Sequence, residues 1–180
     1  IEELSNSIHN EVIRVGFRQN EINEALRIIP LLKNKGYKVY ANPIAVTTYT
    51  EEEILNLINE LNQLRIEGVS IVDTYGSLTY HKFKKLYSVF NENLSEKFEL
   101  GIHLHENKNL SSALIIYVLE NLSSSRNIIL DGSLLGMGRD PGNIPTELII
   151  SILEEFDIRK YKIDECLKLN FNIMAELKKN

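Results

Sequence analysis

The spacing most able to do chemistry is His103-Leu104-His105. Residues i and i+2 of a strand point to one face, so both imidazoles can converge on one cation while Leu104 turns to the opposite layer. Imidazole binds Zn, Mn, Fe or Ni and leaves the remaining positions to oxygen donors. Catalytic sites normally take three His, Asp or Glu ligands, so the pair is short of at least one. The plainer alternative makes one histidine a satisfied interior polar group and the other a rim residue.

Other chemistry-bearing residues follow apolar runs. Asp73-Thr74-Tyr75-Gly76 comes after Val69–Val72. A carboxylate there can orient a ligand, bind a metal through water or move a proton, or it can simply cap the next turn. The stretch Asp131-Gly132-Ser133-Leu134-Leu135-Gly136-Met137-Gly138 continues to Gly142-Asn143 and leads into Ile144-Pro145-Thr146-Glu147. Such a loop can place backbone N–H groups and a helix N-terminus near an anion. It has no Gly-Lys-Ser/Thr and Pro at 141, so it is neither a Walker A loop nor a dinucleotide fingerprint. Arg14 can hold a carboxylate in a bidentate fork or stand in solvent. Asn42 ends another apolar run. His9 and His81 read as surface residues, and Cys166 reads as packing.

These residues need elements to position them. Strand patterns occur at Val12–Phe17, Lys38–Ala41, Val69–Val72, Phe98–Leu104 and Asn127–Leu130, with starts about 26 to 31 residues apart. That is the size of a βαβ unit. Helical stripes lie between them: Ile22, Leu26, Ile29; Ile54, Leu57, Ile58, Leu61, opened by a capping box at Thr50 and Glu53; Phe83, Leu86, Tyr87, Phe90; Leu110, Ala113, Leu114, Tyr117, Val118; and, after Pro145, Leu148, Ile149, Ile152. A last helix carries Ile163, Leu167, Phe171 and Met174, and Ile1–His9 reads as the end of an earlier one. Gly36 and Gly68 read as helix-terminating residues. The alternation implies an α/β fold with a parallel sheet, whose ligands bind beyond the carboxyl ends of the strands.

Composition narrows the function. The 180 residues contain 20 Lys+Arg against 25 Asp+Glu, a formal charge of −5, with no basic stripe. That argues against a nucleic-acid partner. No apolar run approaches the roughly 20 residues that span a bilayer, and no signal peptide is visible, so a cytoplasmic location without a membrane partner is expected. One cysteine excludes an internal disulfide.

Taken together, Gly101-Ile102-His103-Leu104-His105-Glu106-Asn107 with Ala113 downstream, Val72-Asp73-Thr74-Tyr75-Gly76 one unit earlier, and Gly136-x-Gly138-x-x-x-Gly142-Asn143 one unit later resemble the DRE-TIM metallolyase superfamily. The run Asp131–Gly138 is most similar to its 4-hydroxy-2-oxovalerate aldolase branch. The resemblance spans about Val12 to Ile152. It implies a (β/α)₈ barrel and a divalent cation, usually Mn²⁺ or Mg²⁺, with Zn²⁺ or Co²⁺ compatible with imidazole. It implies His103 and His105 as metal ligands and Asn143 as an auxiliary ligand. The implied reaction is cleavage or formation of a carbon–carbon bond in a keto-acid substrate, the metal polarising keto and carboxylate oxygens and stabilising an enolate. Asp73 is then a catalytic or orienting group, with Arg14, Asn42, Thr74, Gly136 and Gly138 around the substrate.

The family's histidines lie on strand seven of eight. Residues 1–180 therefore read as one N-terminally truncated barrel domain: strands four to eight plus a C-terminal helix. No residue matches the metal-ligand Asp or the catalytic Arg of the family's strand-one motif, and position 106 is Glu where Asn or Asp is common. Weak metal binding and no turnover are expected of this chain alone. Closure of the barrel is expected from a missing N-terminal half or a homo-oligomeric partner. Two rival readings stand beside the aldolase: an acyl-CoA condensing enzyme of the isopropylmalate or citramalate synthase kind, and a non-catalytic half-barrel assembly module.

Overall fold

The structure, a computed structural model, describes residues 11–122, 125–139 and 141–177. The expected helix end over Ile1–His9, and with it His9, lies outside those residues, as do Asp140 and the side chain of Met174.

Five strands alternate with helices: β1 (Val12–Phe17), α1 (Ile22–Asn34), β2 (Lys38–Pro43), α2 (Glu51–Asn62), β3 (Gly68–Val72), α3 (Tyr80–Asn93), β4 (Glu99–His103), α4 (Ser111–Glu120), β5 (Ile128–Asp131), α5 (Thr146–Glu155) and α6 (Ile163–Leu177). All pairings are parallel and the spatial order is β1-β2-β3-β4-β5. Strand order that never reverses is the order of a (β/α) barrel, whereas a doubly wound sheet reverses at a switch point.

The helices form for the reasons visible in the sequence. Thr50 accepts from the Glu53 amide at 3.3 Å while Glu53 reaches back to the Thr50 amide at 2.8 Å, so the capping box satisfies two otherwise orphaned donors of α2. Ile54, Leu57, Ile58 and Leu61 of that helix are buried against the sheet. Each such side chain stabilises by roughly 1.5–3 kcal/mol. Helix α1 ends at Asn34, and Gly36 beyond it takes φ +90° as a terminating glycine should.

Gly68 corrects the expectation. It does not end a helix; it begins β3, pressed so close to its neighbour that a Cβ would sit 2.3 Å from the Glu99 carbonyl oxygen. The ring of Tyr40 lies over it, and the Tyr40 hydroxyl donates to Glu99. Arg14, Tyr40, Gly68 and Glu99 are register partners along four strands, so they share one face of the sheet. Val72, His103 and Asp131 form a second row on that face, nearer the carboxyl end. The alternate residues, among them Val39, Ala41, Val69, Ile71, Leu100 and Ile102, are buried against the helices and form the core.

The sheet is curled. Arg14 on β1 is paired with Asp131 on β5. In a flat sheet the first and fifth strands stand about 19 Å apart, beyond the reach of those two side chains. The concave face is therefore the inside of a partial barrel. Among the described residues, no helix is long and apolar enough to cross a membrane.

Candidate metal and substrate site

The site lies at the carboxyl ends of β4 and β5. His103 is the last residue of β4, and its carbonyl accepts the amide of Asp73 at 2.9 Å. His105 follows in extended chain, with Leu104 between them buried in the core. The two imidazole centroids are 5.4 Å apart and the rings tilted by 56°. The face-sharing expected from the i, i+2 spacing is thus realised.

The glycine loop comes back onto this pair. His105 forms an isolated antiparallel bridge with Asn143, and the Glu106 amide donates to Gly142 at 3.0 Å. The loop holds itself in shape through its main chain. The Asn143 amide donates to Gly136 at 3.1 Å, and the Gly142 amide to Arg139 at 2.7 Å. Gly136 has φ +67° and Gly142 φ +108°, conformations that disfavour a side chain. A Cβ at Gly138 would sit 2.6 Å from Asn143 Nδ2. Asn143 Nδ2 donates to the Met137 carbonyl at 2.9 Å, which leaves Oδ1 buried without a partner.

Sequence reasoning passed over Asp131 as a site residue. One oxygen, Oδ2, accepts from Arg14 Nη1 and faces His103 Nδ1 at 3.2 Å; the other accepts from Arg14 Nη2 at 2.8 Å. The usable signal was an acid ending an apolar strand one unit after the histidines. Burial acts to raise the Asp131 carboxyl, but hydrogen bonds from His103 and Arg14 and the arginine charge outweigh it and hold it below the usual carboxylate value. The hydrogen bond to Asp131 raises Arg14 above its ordinary value. Burial, reinforced by His103, holds His105 below the ordinary histidine value; Asp73 and a hydrogen bond to the Arg139 main chain act against that shift.

The other candidates fall around this centre. Asp73 is buried, at 2% exposure, and its oxygens accept the amides of Ser77 at 2.9 Å and Leu78 at 3.2 Å. It anchors the turn before α3. Thr74 Oγ1 accepts the Ala45 amide at 2.8 Å, tying the loop after β3 to the loop after β2. Asn42 pairs with Gly16 across β1 and β2, and its Oδ1 is buried and unpartnered. Glu106 accepts from Ser111 at the start of α4. His81 is exposed on α3 and Cys166 is buried on α6, as expected.

The donors suit a divalent cation in part. A carboxylate facing His103 Nδ1 points Nε2 away from Asp131, and burial favours the neutral form of His105, whose ring then offers a lone pair. The buried orphan Asn143 Oδ1 adds an oxygen. Among the described residues, no three His, Cys, Asp or Glu side chains are arranged to hold a metal ion.

The fold is a partial barrel with two histidines at its carboxyl end, and comparison with known proteins gives its family. The HMGL-like family matches residues 5–172, and the chain belongs to that family. It is 23% identical over 171 residues to a 4-hydroxy-2-oxovalerate aldolase of Bacillus thuringiensis, covering 95% of this chain and 48% of that protein. It is 22% identical over 168 residues to a homocitrate synthase of Pyrococcus horikoshii, covering 91% of this chain and 44% of the other. The solved HMG-CoA lyase of Bacillus subtilis superposes with a TM-score of 0.79 at 19% identity, over 95% of this chain and 64% of that one. The chain thus spans about half the length of the curated relatives it matches.

Proposed function

We propose that the chain carries the histidine-bearing part of a divalent-metal-dependent carbon–carbon lyase of the 4-hydroxy-2-oxovalerate aldolase type, acting on a pyruvate-derived keto acid. The observation that carries this reading is the facing pair His103 and His105, with Asn143 bridged to His105 and its Oδ1 left unpartnered. His103, His105 and Asn143 would hold Mn²⁺ or Mg²⁺. A cation bound there supplies Lewis-acid polarisation of the substrate's keto and carboxylate oxygens. Around that position, Asn42 offers a buried, unpartnered carbonyl oxygen, Gly136 and Gly138 let the loop approach closely, and Asp73 and Thr74 hold the rim loops in place.

Two imidazoles and one amide oxygen are a partial donor set, so this chain by itself binds metal weakly and does not turn over. Calorimetric titration with Mn²⁺ and a pyruvate-release assay on 4-hydroxy-2-oxovalerate test the reading. Measurable Mn²⁺ binding that disappears in H103Q/H105Q supports it. Binding unchanged in that double variant would overturn it. The homocitrate synthase relatives favour a second reading, condensation of an acyl-CoA with a 2-oxo acid. Release of free CoA thiol from acetyl-CoA and a 2-oxo acid by a longer protein containing this chain would select it over the aldolase.

A further inference from the structure

We infer that Asp131, clamped by Arg14, is a positioning residue that fixes His103 as its Nδ1–H tautomer and so presents Nε2 to the metal position. The inference rests on the metal-site reading above and deepens it.

His103 and Asp131 are register partners on neighbouring parallel strands, so their side chains stand side by side on the concave face. An ionised carboxylate only accepts hydrogen bonds. With Oδ2 3.2 Å from His103 Nδ1, a neutral ring must carry its proton on Nδ1. The carboxylate is itself held at two points. Arg14 reaches across from β1 and donates to both oxygens in a fork, which fixes the carboxylate plane. Asp131 is only 14% exposed against 37% for Arg14, so the acid is shielded and the arginine closes it from the open side.

Arg14 and His103 together place three nitrogens on the two Asp131 oxygens, and among the described residues Asp131 and the two histidines do not form a three-ligand metal set, so the acid is placed to orient the histidine. Arg14, expected from the sequence to face a substrate carboxylate, has both terminal nitrogens on Asp131. Partners of this kind typically set metal affinity by about 10–100-fold.

The test uses the full 180-residue chain, labelled with ¹⁵N-histidine, free of metal and at about pH 8. Long-range ¹H–¹⁵N spectra report which ring nitrogen of His103 is protonated, and Mn²⁺ titration follows on the same samples. In the unmodified chain, His103 shows a protonated Nδ1 and a bare Nε2. In D131A the two nitrogens average between tautomers and Mn²⁺ affinity falls about 10–100-fold. The near-isosteric D131N, which preserves shape, keeps the comparison available if D131A fails to fold, and R14K gives a partial effect because it keeps charge but loses the fork. Fixed tautomer in the unmodified chain and lost tautomer in D131A, with no Mn²⁺ bound by either, supports the positioning of His103 and sinks the metal reading. A His103 that keeps Nδ1–H in both Asp131 variants, or tautomer loss with Mn²⁺ affinity unchanged, overturns the inference.

Discussion

Arg14 and Asp131, 117 positions apart, form a two-point ion pair that joins the outermost strands of the described sheet. Replacing Arg14 with Met leaves a shielded carboxylate without its cation. Urea denaturation is expected to show a loss of about 1–3 kcal/mol. The double variant R14M/D131L is expected to lose less than the sum of the two single changes, because each single change strands a charged group.

The loop glycines set a second expectation. In G142A, the new Cβ would meet the Gly136 carbonyl oxygen at 2.1 Å on a backbone with φ +108°. The strain costs roughly 1–3 kcal/mol and moves Asn143, the next residue. Mn²⁺ titration of G142A is expected to show weaker binding than the unmodified chain, with helix content by circular dichroism retained.

Tyr40 gives a pH signature. Burial first, then its hydrogen bond to Glu99, push the phenol up to about 12. A tyrosine that holds its proton more tightly when folded adds stability below the unfolded value near 10, and that stability is lost as pH rises through the folded value. Ultraviolet titration is expected to show a phenolate appearing near pH 12 that is absent in Y40F. In E99Q it shifts to lower pH.

Arg126 tests the fold independently of the site. At 7% exposure it donates to the carbonyls of Asn91, Leu94, Ser95 and Phe98, stapling the end of α3 to the start of β4. R126M strands several carbonyls at once. A thermal melt is expected to show a loss of at least about 1–3 kcal/mol, larger than for any exposed lysine replaced by Met.

Much of this was legible because local rules carried it. The strand starts, the Thr50–Glu53 capping box and the one-sided pair His103–His105 depend on periods of two and 3.6 residues, which a sequence displays directly. The role of Gly68 was not legible. A glycine before a strand pattern looks like a helix stop, and only the approach of Glu99 from a neighbouring strand shows why a side chain is excluded. Asp131 showed only as an acid ending an apolar strand, and its role was hidden for the same reason. Its partners are set by strand register on one side and by sheet curvature on the other, neither of which leaves a short-range trace.

The interlocked glycine loop has an evolutionary consequence. Asn143 is held by main-chain groups of Gly136, Met137 and His105. Met137 and Arg139 stand exposed on the same loop. Their side chains can change without disturbing the main-chain bridge between Asn143 and His105. Such an arrangement lets the exposed side chains of the loop drift from one lineage to the next while the backbone that places Asn143 stays where it is.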